Sequence, residues 1–183
     1  MQEIQSTYPI ETQIYGSAMT AITPDLQRKI FRGFQSSVVV MTAEHRGLDV
    51  GITLSSLVSV SLNPPLASVS IAKRSSRTPI FLDAKEVAIH ILASDEAELA
   101  DMFARSGSQP FVDLMFERSE EGAPLLPTRG SILLGRPWSK VSAGDHWIYL
   151  VEILGGMASS RCSLTYLNGS YVNPGYPVKP CRL

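Results

Sequence analysis

Between two apolar runs, residues 38–43 and 66–72, the chain places Gly51-Ile52-Thr53-Leu54-Ser55-Ser56, a stretch richer in hydroxyls than packing requires. Small residues let a ligand approach the backbone, and hydroxyls add donors and acceptors with little bulk. Directly after the second run stand Lys73-Arg74-Ser75-Ser76-Arg77-Thr78, which combine cations and hydroxyls beside a strand end. Arginine offers an anion a planar fork and lysine a point charge, so this run suits a phosphate. Alone, each piece is also what a serine-rich loop or a solvated basic turn looks like. In this order they favour a cradle for a phosphorylated cofactor.

The histidines differ in what their neighbours allow. His45 falls at a hairpin tip, where solvent is its expected surrounding. His90 lies on a strand between Ile89 and Ile91, so it points away from both, as a structural residue or at a cofactor edge. His146 opens a strong strand directly after Gly144-Asp145, where the residues allow either rim packing or function. Ser55 and Ser56 lack the G-x-S-x-G context of a covalent nucleophile. The scattered histidines, with Cys162 and Cys181 late in the chain, supply no metal-ligand spacing. The two cysteines read as unpaired thiols of a reducing compartment, with a bridge between them as the alternative.

The elements that must position these residues follow from patterning. Residues 1–22 are polar and unpatterned, an N-terminal arm. Thr23-Pro24-Asp25 starts a helix with Leu26, Ile30, Phe31 and Phe34 as its apolar stripe. Residues 38–43 and 48–53 should form a hairpin around Glu44-His45-Arg46-Gly47, and Asn63-Pro64-Pro65 must be a corner. A short helix follows Ser76-Arg77-Thr78-Pro79, and a second follows Ser94-Asp95-Glu96 with Leu99, Met102 and Phe103 on one face. Strands are expected at 66–72, 87–92, 131–134, 138–141 and 146–154, with a last hairpin around Asn168-Gly169. Residues 105–129 read as loop and 173–183 as a proline-rich tail. Residues 23–172 thus form one mainly β domain with peripheral helices, an antiparallel barrel rather than a doubly wound sheet. No G-x-G-x-x-G occurs.

Composition narrows the function classes. In 183 residues a net charge of −1 gives no bulk attraction for nucleic acid or an acidic membrane. Apolar runs are far too short to span a bilayer, and no basic n-region with an apolar h-region opens the sequence, so a cytoplasmic location is expected.

The order VVVMTA…GITLSS…SVSLNPPLASVSIAKRSSRT resembles the short-chain NAD(P)H:flavin reductases, built on the FMN-binding split β-barrel. So do Phe31-Arg32 with Phe34, Ala100-Asp101-Met102-Phe103-Ala104, Gly122-Ala123-Pro124-Leu125-Leu126, Gly144-Asp145-His146 and the segment from Leu164 to Tyr171. The resemblance implies a Greek-key split barrel that passes hydride from NADH or NADPH to FMN or FAD, as a homodimer serving a separate oxygenase. It places the flavin ring against Gly51, Ile52, Thr53, Leu54, Ser55 and Ser56 and against Ser68, Val69, Ser70, Ile71 and Ala72. The phosphate falls to Lys73, Arg74, Ser76 and Thr78. Phe103 either lines the ribityl or ring edge or belongs to the core. His146 would face the nicotinamide, positioning the hydride donor or moving a proton, with Asp145 fixing the turn. Leu54, where relatives often carry Ala or Val, and the pair Lys73-Arg74 depart from the usual pattern and blur which flavin is preferred. Two alternatives are a flavin-binding protein without nicotinamide turnover and a split-barrel oxidase of a small organic substrate.

Overall fold

The computed structural model describes residues 20–105 and 110–175. Helix α1 (Pro24–Arg32) starts as its sequence dictates: Thr23 is extended and its Oγ1 accepts from the Leu26 N–H at 3.2 Å. Strand β1 (Ser36–Ser37) leads into the hairpin of β2 (Val39–His45) and β3 (Leu48–Leu54). Its two-residue turn takes Arg46 and Gly47 into the left-handed region, with φ of 54° and 80°, the twist that suits a tight hairpin. The sequence Gly51–Thr53 is therefore strand, and only Ser55, Ser56 and Leu57 link β3 to β4 (Val58–Leu62). Asn63-Pro64, a cis peptide, turns β4 into β5 (Pro65–Ala72), and Pro65 begins that strand.

Then follow α2 (Thr78–Asp83), β6 (Val87–Ile91) and α3 (Ala97–Ala104). The loop expected over 105–129 contains a small hairpin, β7 (Glu117–Arg118) with β8 (Pro124–Leu125). The strands expected at 131–134 and 138–141 are one long strand, β9 (Ser131–Ala143). Its Pro137 is tolerated because a register shift lies beside it: Leu150 pairs with Ser139 and Val151 with Pro137, leaving Trp138 unmatched. Strand β10 (His146–Met157) returns alongside, and β11 (Thr165–Leu167) and β12 (Ser170–Val172) close the last hairpin with Asn168 and Gly169 at positive φ.

The main sheet has seven antiparallel strands in the order β3-β2-β6-β9-β10-β5-β4 and curls around one core. Alternation decides what enters it. Val39, Met41, Val69, Ile71, Val87, Ile89, Tyr149 and Val151 point inward, while Phe81 of α2 packs into the same core. The fully buried Tyr149 donates its hydroxyl to Phe81 O at 2.8 Å, and burial pushes its phenol pKa up. On the opposite face of β2, Val38 and Val40 pack with Leu92, Ala100, Phe103, Leu126 and Leu164, so α3 covers the outside of β2 and β3. Among the described residues, helix α1 has no such cover. Its stripe is exposed, at 59% for Ile30, 62% for Phe31 and 68% for Phe34. The arm over 1–22 and the tail over 173–183, with Cys181, fall largely outside the described residues.

Candidate functional site

Strands β5 and β10 carry the centre of the candidate site. On β5, Ala67, Val69 and Ile71 are buried, whereas Ser68, Ser70 and Ala72 alternate to the outer face. For Val69 and Ile71 this leaves only the backbone for a ligand; their side chains belong to the barrel core. Register sets His146 opposite Ala72, Ile148 opposite Ser70 and Leu150 opposite Ser68. Cross-strand partners share a face, so His146 stands at the end of the row that Ser68, Ser70 and Ala72 form. The Ser56 hydroxyl accepts from the Ser70 N–H at 2.9 Å and lies 3.3 Å from Ser70 O, continuing with a side chain the pairing that β4 makes with β5.

The turn before His146 is tied down from the cradle. The Lys73 N–H donates to Asp145 O at 2.9 Å, and Lys73 Nζ donates to Ser142 Oγ and Gly144 O, each at 2.6 Å. The same ammonium lies 5.2 Å from the Trp147 ring centroid. Asp145 Oδ1 is 2.6 Å from His146 Nδ1, which leaves Nε2 as the nitrogen available to a ligand. The imidazole beside it holds the Asp145 carboxyl below its usual range. Arg74 and Ser76 are exposed next to this turn. Thr78 is not: its hydroxyl is buried and donates to Ala72 O at 2.7 Å, which removes it from the phosphate set. Arg77, counted in the basic run but not among the expected phosphate residues, donates from Nη1 to Phe103 O at 2.9 Å and from Nη2 to Arg105 O at 2.7 Å.

On β3 the small residues serve packing as well. A Cβ on Gly51 would overlap the Phe103 ring, so it is α3, not a ligand, that approaches the backbone there. Phe103 is fully buried and makes an edge-on contact with Phe111, so of its two sequence readings the core one holds. Ile52 and Leu54 pack against the barrel core. Thr53 Oγ1 donates to Ala100 O at 2.6 Å, which leaves it only as an acceptor toward a ligand. Replacing Thr53 with Val should lower the stability of the ligand-free protein by about 1 kcal/mol, measured by urea unfolding. A variant as stable as the parent would show that this bond adds nothing to stability.

Thr53, Leu54 and Ser55 line a cavity of about 280 Å³ together with Ala104, Tyr166 and Tyr171. The two tyrosines were missed in the sequence, although the Asn168-Gly169 turn makes them direct partners: Tyr166 faces Tyr171, ring centroids 6.0 Å apart. Burial, with the Asp101 carboxylate adding to it, raises the Tyr171 phenol pKa. A larger cavity of about 620 Å³ lies elsewhere, among residues such as Met115, Phe116, Leu125, Ile132 and Met157, and holds none of the predicted site residues.

His90 is structural. It is fully buried, its Nδ1–H donates to Val40 O and its Nε2 accepts from the Leu126 N–H, both at 3.0 Å. Burial pushes its pKa down to about 4. His45 ends β2 at the hairpin turn, away from the row on β5. Among the described residues no group of His, Cys, Asp and Glu could hold a metal ion, and no helix is long and apolar enough to cross a membrane.

A curled antiparallel sheet with one helix plugged into its core and another laid on its outside makes this chain a split β-barrel protein, and solved structures agree. The flavin reductase domain protein from Arthrobacter sp. FB24 superposes with a TM-score of 0.80 at 26% identity, covering 86% of this chain and 99% of that one. The flavin reductase PheA2 does so with a TM-score of 0.77 at 27% identity, covering 85% and 100%. The chain belongs to the flavin reductase like domain family, whose model matches residues 31–175. It is 36% identical over 144 residues to the NADH-dependent FMN reductase SmoA of Agrobacterium fabrum, covering 79% of this chain and 82% of that protein. It is 35% identical over 148 residues to the reductase component of a flavin-dependent trigonelline monooxygenase of Acinetobacter baylyi, covering 80% of this chain. The chain spans about half of that second relative, 48% of its length.

Proposed function

We propose that the protein oxidises NADH or NADPH, reduces FMN or FAD, and releases reduced flavin to a separate oxygenase. One observation carries the reading within this family: register and the Lys73 bonds set His146 at the end of the outward row of Ser68, Ser70 and Ala72. The donor set fits a flavin phosphate and ring. Arg74 and Ser76 are exposed beside the strand end, and the outward β5 residues are small and polar. Bound flavin supplies the hydride acceptor, and the chain contributes orientation and electrostatics. Ser68 and Ser70 present hydroxyls to the ring. Arg74 and Ser76 bind the phosphate. His146, fixed through Nδ1 by Asp145, turns Nε2 toward the nicotinamide.

Loss of NAD(P)H absorbance on adding free flavin tests this reading. A flavin carrier or an oxidase of another substrate would leave the nicotinamide untouched. In the same assay Arg74→Ala should weaken flavin binding by roughly tenfold or more, the loss of one charge-assisted bond. Lys73→Ala is a poorer probe, because it also frees the turn that carries His146.

The homodimer belongs to the same proposal. A nine-residue helix that buries nothing gains little from its own hydrogen bonds, so the exposed Ile30, Phe31 and Phe34 call for a cover. A second copy is the partner we assign to them. Light scattering that returns the mass of one chain would remove it.

A further inference from the structure

His146 stands on an open turn. Between β9 and β10 the chain runs Ala143-Gly144-Asp145-His146, with Ala143 and His146 paired across it. Gly144 takes a φ of 57°, and a Cβ placed there would meet nothing within 4 Å. The Asp145 side chain is 94% exposed and that of His146 44%. Asp145 engages the ring but rides on the same turn. Solvent thus surrounds the residue assigned to the nicotinamide, and open loops move on the nanosecond-to-microsecond scale. Among the described residues, the side chain that ties this turn to β5 is that of Lys73, through Nζ to Ser142 Oγ and Gly144 O.

The face from which Lys73 acts decides its role. Ile71, Trp147 and Ser142 are paired across β5, β10 and β9, so their side chains share one face. Ile71 is fully buried, which makes that the core face. Lys73 follows Ile71 by two residues and continues its column. Its ammonium reaches Ser142 and lies 5.2 Å from the Trp147 ring centroid, and Lys140 Nζ lies 5.9 Å from the same ring. The charge is therefore on the side of the sheet opposite the row of Ser68, Ser70, Ala72 and His146. A flavin laid along that row has the sheet between itself and this ammonium. Two of the three ammonium donors are held by the turn. To meet a flavin phosphate, Lys73 would have to give up both bonds and swing around the strand end.

We propose that Lys73 is a positioning residue for hydride transfer rather than a phosphate ligand: from the core face it holds the turn that aims His146 at the nicotinamide. The proposal rests on the flavin reading above. It divides the basic run in two, with Arg74 and Ser76 facing the phosphate and Lys73 serving His146.

Lys73→Met in the full chain tests this. Methionine keeps an unbranched stem and the backbone bond to Asp145, and removes the two ammonium bonds. In the flavin-free protein, the heteronuclear ¹H–¹⁵N NOE of the Gly144, Asp145 and His146 amides should fall, while that of Ile71 keeps its wild-type value. In stopped-flow reduction by NADH, hydride transfer to bound FMN should slow on the order of tenfold, the effect of a small misorientation. FMN and riboflavin should both bind as tightly as they do to wild type. Added to His146→Ala, Lys73→Met should slow the step no further, because it acts through the ring that is gone. Wild-type NOE values and a wild-type rate in Lys73→Met would overturn the proposal. So would weakened FMN binding with unchanged riboflavin binding, since riboflavin lacks the phosphate. Extra slowing in the double variant would likewise overturn it. A wild-type protein that leaves NADH unoxidised in the presence of FMN would overturn the flavin reading alone; the NOE values still decide whether Lys73 holds the turn.

Discussion

His146→Ala is expected to slow hydride transfer from NAD(P)H to bound flavin by roughly 10–10³-fold, as a misplaced nicotinamide would cost about 1.4–4 kcal/mol of the barrier. Flavin affinity should change far less, because the flavin contacts assigned to Ser68, Ser70 and Arg74 remain. The geometry makes the two effects separable. His146 sits at the end of β10, opposite Ala72, and its Nδ1 is engaged by Asp145. Removing the ring leaves the Lys73 bonds to Ser142 and Gly144 in place, so the turn keeps its shape. His146→Asn distinguishes the roles: an amide can hold a hydrogen bond but cannot deliver a proton. Stopped-flow reduction of bound flavin reads both variants. Full recovery in Asn assigns positioning, no recovery assigns proton delivery, and wild-type rates in both would return His146 to rim packing.

The second large effect is on stability in acid. His90 has a folded pKa of about 4, against about 6.5 for an unperturbed imidazole. Between those values the unfolded chain binds the proton that the folded chain refuses, so stability is full above about pH 6.5 and falls as pH drops toward 4. The span corresponds to roughly 3 kcal/mol at its acid end, at about 1.4 kcal/mol per unit. Protonation is resisted because burial strips water from the charged imidazolium, and Nε2 already accepts from the Leu126 N–H. His90→Gln cannot titrate and should flatten the stability profile across this window. Equal slopes for variant and wild type in urea unfolding at pH 7 and pH 4.5 would assign the acid sensitivity to other groups.

Local rules carried the reading a long way. Thr23-Pro24 marked the helix start, and Gly47 and Asn168-Gly169 marked hairpins, because caps and positive φ are written in single residues. The outward side of His90 followed from the alternation of Ile89 and Ile91. Its partner Leu126 did not, since that amide comes from a loop 36 residues further along. The same limit applies within the candidate site. Thr53 and Thr78 have the side chains of a cofactor cradle, yet both hydroxyls donate to backbone carbonyls, of Ala100 and Ala72. Gly51 looked like room for a ligand and is room for Phe103. The strands expected at 131–134 and 138–141 are one strand, with Pro137 beside a register shift. Where the meaning of a residue depends on what packs across from it, residue type alone could not decide.

The seam at Ser56 has one more consequence. Strand β5 is laddered to β10 by backbone bonds along its length, but beyond Val58 its other side is held by the Ser56 hydroxyl. A side-chain rotamer can let go without any strand parting, so the amide of Ser70 should exchange with solvent sooner than the β5 amides bonded to β10. The weakest hold on β5 then lies on the row that ends at His146. Plasticity there leaves the core packing of Val69, Ile71 and Tyr149 undisturbed.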